Sequence, residues 1–382
     1  MPGSDTLGLA PLAPLSVTGR LARLRPALDD AGADGLLVTE LANVRYLTGF
    51  TGSAGVLLVT ADEALLATDG RYRTQAGEQL ALHGAEDDVE LTVGGPGAQR
   101  DAVAALVARA GIRRLGLEAD SISWGAERRW AEVLRGVEAL ATSGVVEQLR
   151  MVKDQGELAR MAQAAAIADA ALGETLPLLG DGRSEAEVAL SLDSAMRRLG
   201  AEDRAFETIV ASGPNAAKPH ARPSARRVGA GDVVVVDFGA TVEGYRSDMT
   251  RTFVVGTADD TMARILDTVG RAQADGVAAV RPGIATGDVD RVCREVIAGA
   301  GFGEAFEHGT GHGVGLHIHE APSVGPGSTA ILAPGVVVTV EPGIYLSGIG
   351  GVRIEDTVVV TDEGCRPLTR FPKDPVIEDT AA

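Results

Sequence analysis

Residues Val233–Phe253, VVVVDFGATVEGYRSDMTRTF, decide the fold of the second half of this chain. Four consecutive valines indicate a strand, and the threonine- and aromatic-containing end indicates a second strand that returns after a tight turn. With Val242 and Glu243 as the turn residues, Asp237 and Asp248 stand directly opposite each other on one face of the hairpin. Opposed like charges in a valine-rich hairpin are unfavourable unless a cation compensates them. The stretch therefore predicts half of a metal site, although a solvated acidic pair on an edge hairpin explains these residues equally well.

The composition is that of a folded protein of 382 residues, long enough for two domains and a large core. The 53 acidic and 35 basic residues give a net charge of −18, which argues against a nucleic-acid partner and against an anionic membrane. The two cysteines, Cys293 and Cys365, are far apart and indicate neither a disulfide framework nor a thiolate metal site. Prolines interrupt both the N-terminus and the longest uncharged stretch, so we expect no signal peptide, no membrane helix and a cytoplasmic location.

Strand-like and helix-like segments alternate through the first part of the chain, which predicts an α/β N-terminal domain over residues 1–150. Asp154-Gln-Gly-Glu157 is a candidate capping box that opens a long alanine-rich helix. The helix pairs and hairpins that follow predict an α+β domain over residues 151–372. Residues 373–382 are expected to form an unstructured tail.

A second stretch repeats the arrangement of acids seen in the first. Val336–Glu341 is a β-branched run, 352–360 is another, and the segment between them is rich in glycine. A hairpin folded about Gly348 places Glu341 opposite Glu355. Two solvated edge hairpins with facing acids would require two independent coincidences, so the pair of hairpins favours a metal site.

Four of the six histidines lie between these hairpins, in the sequence HGTGHGVGLHIH at 308–319. The glycines let backbone approach a ligand closely, and they argue against the helix on which zinc enzymes carry two histidines. We expect one metal ligand here and the other histidines around a substrate, except that a surface position is the better explanation of His317. Four carboxylates and one imidazole suit two divalent ions about 3.5–4 Å apart, with a water between them that ionises near neutral pH. The predicted activity is metal-dependent hydrolysis.

These stretches resemble the pita-bread metallopeptidase family, which includes methionine aminopeptidases, Xaa-Pro aminopeptidases and prolidases. The matching motifs stand in family order and are DFG at Asp237, SDMTRT at Asp248, HGTGHGVG at His312, VEPGIY at Glu341 and VRIEDT at Glu355. Asn43–Phe50 and Thr68–Tyr72 are similar to the creatinase-type N-terminal domain of Xaa-Pro peptidases, which methionine aminopeptidases lack. The resemblance implies an α/β N-terminal domain plus an α+β pita-bread catalytic domain, and it favours the proline-directed branch.

The resemblance also implies roles for residues that match the family motifs. The implied metal ligands are Asp237, Asp248, His312, Glu341 and Glu355. Asp248 and Glu355 would bridge two ions, and Glu341 would also act as general base. The implied catalytic histidines are His220, which would stabilise the tetrahedral intermediate, and His308 and His319, which would contact the scissile carbonyl and the proline side of the substrate. Arg353 and Tyr345 are implied to support the ligands.

The favoured activity is that of an Xaa-Pro dipeptidase, with an Xaa-Pro aminopeptidase acting on longer peptides as the alternative. A dipeptidase must bind the carboxylate of its substrate, and Arg45, from the N-terminal domain of the same or a neighbouring subunit, is a candidate clamp. An ordinary surface arginine is the simpler explanation of Arg45. A non-catalytic pita-bread binding protein is the alternative of another class, and the complete ligand set argues against it. The resemblance implies two divalent metal ions, with Mn2+ as first choice and Co2+ or Zn2+ as alternatives, a proline-containing dipeptide or short peptide as substrate, and a homodimer.

Overall fold

The structure is a computed structural model that describes residues 7, 9–373, 376–378 and 380. The chain divides into two compact units, Ala13–Arg150 and Met151 to the C-terminus, and the described residues before Ala13 group with the second unit. Among the helices in the described part of the chain, none combines the length and the apolar character that crossing a bilayer requires.

The N-terminal unit is built on one mixed sheet with strand order β4-β3-β2-β1-β5-β6. Its strands are β1 Gly35–Val38, β2 Gly55–Thr60, β3 Ala64–Thr68, β4 Glu90–Val93, β5 Arg114–Glu118 and β6 Glu138–Thr142. Its helices are α1 Arg20–Asp30, α2 Leu41–Thr48, α3 Arg73–His83, α4 Pro96–Arg109, α5 Trp124–Val133 and α6 Val145–Met151, the last of which crosses the boundary between the units. Every residue of β1, the central strand Gly-Leu-Leu-Val, is buried, as expected for a strand covered on both faces. This unit has the predicted α/β character.

In its described residues, the second unit contains four long helices and a further set of strands. The helices are α7 Gln155–Thr175, α8 Glu185–Arg198, α9 Asp260–Ala279 and α10 Thr286–Gly299. The strands are β7 Asp203–Arg204, β8 Ile209–Ser212, β9 Val233–Phe238, β10 Ala240–Val242, β11 Tyr245–Arg246, β12 Met249–Val255, β13 Gly311–Gly313, β14 Glu320–Val324, β15 Val337–Val340, β16 Gly343–Leu346, β17 Gly350–Arg353, β18 Asp356–Val360, β19 Cys365–Pro367 and β20 Val376–Ile377. Helix α7 begins with the predicted capping box, since Asp154 accepts from the Glu157 backbone N–H and Glu157 from the Asp154 backbone N–H.

The strands of this unit form sheets with the orders β20-β12-β9-β8, β14-β13-β15-β18-β19, β11-β10-β7 and β16-β17. Helices α7 and α8 share a buried core with β9 and β12, represented by Ile167 and Val236. Helices α9 and α10 share a second core with β15 and β18, represented by Ile265 and Val338. A helix pair followed by carboxylate-bearing strands therefore occurs twice, which gives the predicted α+β character.

The first hairpin turns one residue later than the sequence analysis predicts. Glu243 and Gly244 have positive φ angles of 42° and 74°, the values that a tight hairpin turn requires of its two central residues. Asp237 consequently pairs with Thr250. The prediction that Asp237 stands directly opposite Asp248 is wrong, and the two aspartates are instead diagonal neighbours across the hairpin.

The second hairpin has the predicted register. β15 pairs with β18 so that Val340 is opposite Asp356, and the β16–β17 ladder continues in the same register. This register sets Glu341 across from Glu355. Gly348, with φ of 76°, lies in the turn, where a left-handed conformation favours glycine.

The C-terminal end pairs with the first hairpin. β20 runs parallel to β12, with Val376 and Ile377 beside Val254 and Val255, and Ile377 is buried in the core. The expectation of an unstructured tail over 373–382 is therefore wrong for β20, because an apolar side chain there completes the core. Residues 374, 375, 379, 381 and 382 of that predicted tail lie outside the described residues.

Candidate metal centre

Three carboxylates from distant parts of the chain meet at one point. One oxygen from each of Asp237, Asp248 and Glu355 lies within 4.8 Å of the other two. Asp237 belongs to β9, Asp248 directly precedes β12, and Glu355 lies between β17 and β18. The Asp248 and Glu355 residues are only 4% and 1% exposed, so their charges are largely removed from water.

His312 and Glu341 lie next to this group. His312 Nε2 is 3.6 Å from Asp248 Oδ2 and 3.2 Å from Glu341 Oε1. His312 Nδ1 is 3.0 Å from the carbonyl oxygen of Gly313, which leaves Nε2 as the nitrogen that faces the acids. The Glu341 backbone N–H donates to the Thr310 carbonyl at 2.7 Å. The five residues implied as ligands by the family resemblance thus lie together in the second unit.

The buried acids fit a divalent cation. Burial, followed by the charges of neighbouring carboxylates, raises the pKa of Asp248 and of Glu355 well above the usual range, and burial raises the pKa of Asp237 despite a nearby arginine. Asp237 Oδ1 and Glu355 Oε1 are buried and have no hydrogen-bond partner. Buried carboxylate oxygens without partners are rare and unfavourable, and a bound divalent ion would satisfy them. The donor set of carboxylates and one imidazole suits manganese, zinc or cobalt alike.

Glu341 and His312 each favour the charged form of the other. Burial opposes ionisation of Glu341, but the hydrogen bond from His312 together with the nearby positive charges of His312 and Arg353 outweighs burial and lowers the pKa of Glu341 to about 2. Burial likewise opposes a charge on His312, and its hydrogen bond with Glu341 raises the pKa of the imidazole above the usual value. Glu341 is therefore a carboxylate at neutral pH and is able to accept a proton.

Arg353 is buried beside the acids. Its guanidinium donates to Asp237 Oδ2 at 2.5 Å, to Thr250 Oγ1 at 3.1 Å and to the Tyr345 hydroxyl at 2.8 Å. The Tyr345 hydroxyl in turn lies 2.9 Å from His308 Nε2. Arg353 thus contacts one ligand directly, whereas Tyr345 links the arginine to a histidine of the cavity wall.

Two threonines that the sequence analysis does not single out also hold ligands. Thr250 Oγ1 donates to Glu355 Oε2 at 2.7 Å, and Thr339 Oγ1 donates to Glu341 Oε1 at 3.1 Å. Thr339 Oγ1 also accepts the backbone N–H of His312 at 3.0 Å. Each threonine is two positions from an implied ligand in the sequence and therefore on the same face of an extended segment. That spacing is the signal that would have identified them.

A cavity of about 590 Å³ opens beside the five residues, and three of the other histidines, His220, His308 and His319, line it. The rings of His312 and His319 are 4.4 Å apart in an edge-to-face arrangement. Burial lowers the pKa of His308 and of His319, so both are neutral at physiological pH. Among the described residues, His317 is outside the cavity wall, and its backbone N–H donates to Glu320.

Arg45 belongs to the N-terminal unit, where it is half-buried on α2. The structure does not bring it together with the other implied residues within one unit. Its role in binding substrate stays a prediction.

Residues 159–362 of the chain match metallopeptidase family M24, and residues 20–152 match the creatinase/prolidase N-terminal domain. The chain belongs to metallopeptidase family M24. The predicted resemblance is thereby confirmed, as is the predicted fold class of an α/β N-terminal domain followed by an α+β pita-bread catalytic domain. Family membership makes the protein an enzyme that depends on divalent metal.

Relatives of this M24 metallopeptidase match it along both units. The Xaa-Pro dipeptidase of Pyrococcus horikoshii is 35% identical over 348 residues, which cover 91% of this chain and 95% of that protein. The solved structure of the Xaa-Pro dipeptidase from Bacillus anthracis is 41% identical, covers 95% of this chain and 100% of its own, and has a TM-score of 0.90. The crystal structure of the X-Pro aminopeptidase from Thermotoga maritima is 36% identical, covers 92% and 100%, and has a TM-score of 0.83.

Proposed function

We propose that this M24 metallopeptidase is an Xaa-Pro dipeptidase, which hydrolyses the bond between an N-terminal residue and proline. The observation that carries the proposal is the convergence of Asp237, Asp248, His312, Glu341 and Glu355 beside a cavity whose wall presents further histidines. Similarity of 35% and 41% identity to two proteins named Xaa-Pro dipeptidase supports the choice of substrate.

The five converging residues would hold two divalent ions, with Mn2+ as the first choice and Co2+ or Zn2+ as alternatives. When bound, such ions supply Lewis acidity and lower the pKa of water, which is the chemistry that amide hydrolysis needs. A peptide bond to proline is a tertiary amide without an N–H, so the enzyme cannot accept a hydrogen bond from that nitrogen. The side chains of the site must position the substrate instead.

Glu341 is the proposed general base. Its carboxylate is ionised at neutral pH because the hydrogen bond from His312 and the nearby positive charges together outweigh burial and lower its pKa to about 2. The hydroxyl of Thr339 donates to its Oε1 at 3.1 Å. A proton taken up by Glu341 can be returned to the proline nitrogen as that nitrogen leaves.

The cavity histidines are the proposed contacts to the substrate. His220 is exposed at the cavity wall and can donate to the oxygen that becomes negative during attack. His319, neutral and beside His312, would contact the proline side. The ring nitrogens of His308 lie 2.7 Å from the Gly309 carbonyl and 2.9 Å from the Tyr345 hydroxyl, so a contact to the scissile carbonyl would replace one of these bonds.

Arg45, supplied by the same or a neighbouring subunit, is a candidate ligand of the substrate carboxylate. A guanidinium matches a carboxylate in bidentate geometry, which is what favours an arginine in this role. The proposal also includes a homodimer in a reducing cytoplasm, and the free thiols of Cys293 and Cys365 are consistent with such a compartment. Sedimentation of the purified protein tests the dimer.

An Xaa-Pro aminopeptidase is the second candidate, favoured by the 36% identity to the Thermotoga maritima protein of that name. The deciding assay compares hydrolysis of Ala-Pro, Ala-Pro-Ala and Ala-Ala by the manganese-loaded protein. We expect Ala-Pro to be cleaved best and Ala-Ala hardly at all, whereas preference for Ala-Pro-Ala would make the aminopeptidase the better description. Failure to cleave any of them after chelation and readdition of manganese, cobalt or zinc would indicate a non-catalytic binding protein.

A further inference from the structure

The cavity wall contains two arginines and no lysine among the residues that the structure describes there. Arg353 is one of them, but its guanidinium is buried and donates to Asp237, Thr250 and Tyr345. Its positive charge is therefore already paired with groups of the protein. Arg222 is the other.

Arg222 lies in the segment Pro219–Pro223, and all five residues of that segment line the cavity. Its side chain is 87% exposed, and its ion pair is with Glu207, at 3.7 Å between Nη2 and Oε2. The Glu207 side chain is 69% exposed and lines the same cavity. A pair this long between exposed side chains contributes little, so a ligand can replace Glu207 without breaking a buried contact.

Arg222 shares the cavity wall with the histidine proposed to contact the proline half of the substrate. It follows His220 by two residues, and proline at both ends of the segment restricts its backbone. His220 and His319 both line this cavity with Arg222. His319 is the residue assigned above to the proline side.

We infer that Arg222 binds the C-terminal carboxylate of a dipeptide substrate and sets the preference for dipeptides over longer peptides. The inference rests on the proposed Xaa-Pro hydrolysis, and it assigns the carboxylate contact to the catalytic unit itself. In a dipeptide the carboxylate is attached to the proline ring, whereas in a longer peptide it is at least one residue further away. A guanidinium binds a carboxylate through two parallel hydrogen bonds, and Glu207 would compete with the substrate for the same donors.

The test measures steady-state kinetics of the manganese-loaded full-length protein with Ala-Pro and with Ala-Pro-amide, which lacks the carboxylate. We expect Arg222→Ala to raise KM for Ala-Pro on the order of 10-fold to 100-fold, the range for loss of a charged hydrogen bond. KM for the amide should stay within about twofold, because the amide makes no ion pair with Arg222. Arg222→Lys should restore part of the loss, and Glu207→Gln should lower KM for Ala-Pro by removing the competing carboxylate.

Arg183→Ala is the matched control. Arg183 also pairs with a glutamate at 3.7 Å on the surface, and it is not among the residues that line the cavity. Arg183→Ala should leave KM unchanged for both Ala-Pro and Ala-Pro-amide. Equal effects of Arg222→Ala on both substrates, no effect on either, or a carboxylate-specific effect of Arg45→Ala alone would overturn the inference. A wild-type protein inactive on both substrates would instead overturn the proposed function, and the inference with it.

Discussion

Arg353 Nη2 lies 2.5 Å from Asp237 Oδ2, and the two side chains are only 4% and 13% exposed. The residues are 116 positions apart, so this ion pair joins the first carboxylate hairpin to the second. It places one positive charge among several buried carboxyl groups. The pair therefore limits the repulsion that the site must tolerate before a metal binds.

Replacing Arg353 by Met should destabilise the protein strongly. Removing one partner of a buried ion pair leaves the other charge uncompensated, at a cost of about 3–5 kcal/mol in the free energy of unfolding. Urea unfolding of the metal-free protein measures this change. Arg198→Met removes an exposed pair with Glu174 and should cost less than about 1 kcal/mol. Equal losses in the two variants would contradict the role given to Arg353.

Metal binding should release protons and should strengthen as pH rises. The raised pKa values of Asp248 and Glu355 mean that the metal-free site holds protons at pH values where free carboxylates have lost them. The raised pKa of His312 adds another proton that a cation must displace. Calorimetric titration with manganese in two buffers of different ionisation enthalpy measures the number released. Binding without proton release would show that the acids are already ionised.

The raised pKa values of Asp248 and Glu355 also predict how the stability of the metal-free protein depends on pH. A carboxylate with a raised pKa in the folded state keeps a proton that the unfolded chain has lost, so stability falls as pH rises above the ordinary carboxylate pKa. The increase in Tm produced by saturating manganese should therefore be larger at pH 7 than at pH 5. Thermal unfolding at the two pH values, with and without metal, tests this. An increase that is larger at pH 5 would reverse the assigned direction of the shifts.

Thr250→Val should weaken metal binding while leaving the fold intact. The hydroxyl of Thr250 donates to Glu355 and accepts from Arg353, and loss of a hydrogen bond to a metal ligand lowers metal affinity or activity about 10-fold to 100-fold. Metal affinity and kcat/KM measure the effect, and Thr250→Ser should retain most of both. Thr268→Val is the control, since the Thr268 hydroxyl donates to Arg264 O in α9. Unchanged metal affinity in Thr250→Val would remove the threonine from the site.

Asp290 on α10 should be needed to position the loop of His308. Its carboxylate accepts from the Thr310 backbone N–H at 3.0 Å and hydroxyl at 2.9 Å, and from Arg294 Nε at 2.7 Å. Arg294 donates to the His308 carbonyl, and the Thr310 carbonyl accepts from the Glu341 backbone N–H. We expect Asp290→Asn to lower kcat more than it changes KM. The substitution weakens the contacts that hold both the loop of His308 and, through Thr310, the backbone of Glu341.

Asp288→Asn is the matched control on the same helix. Asp288 pairs with Arg291 at the surface, where its side chain is 50% exposed, so the substitution should change neither kcat nor Tm appreciably. If Asp290→Asn lowers Tm but leaves kcat unchanged, the Asp290–Arg294 pair supports the fold alone.

Local spacing predicts much of the fold and most of the candidate site. Alternation along a strand and symmetry about a turn are enough to set Glu341 across from Glu355, and the capping box at Asp154 marks the start of α7. Spacing is less reliable where a turn can form at either of two adjacent positions. The positive φ of Glu243 moves the first hairpin by one residue and places Asp237 opposite Thr250.

Other elements depend on contacts that local spacing does not contain. Helix α2, which the sequence analysis does not predict, begins where Glu118 accepts the backbone N–H groups of Thr39 and Glu40 at 2.5 and 2.7 Å. Glu118 comes from β5, far along the chain, so the start of the helix depends on how the sheet assembles. Short helices of this kind are stabilised mainly by tertiary contacts.

The amino-acid sequence by itself determined the fold class, the family and the set of acids and histidines available for a metal site. These depend on residue type and on spacing along the chain, because the geometry of a strand or helix determines which residues share a face. Only the tertiary structure decided that His312 turns Nε2 toward the acids, that Arg353 neutralises Asp237, and that Arg222 lines the cavity. Those contacts join elements that are far apart in the sequence and that meet only when the cores pack. Periodicity along the chain does not specify where such distant elements meet.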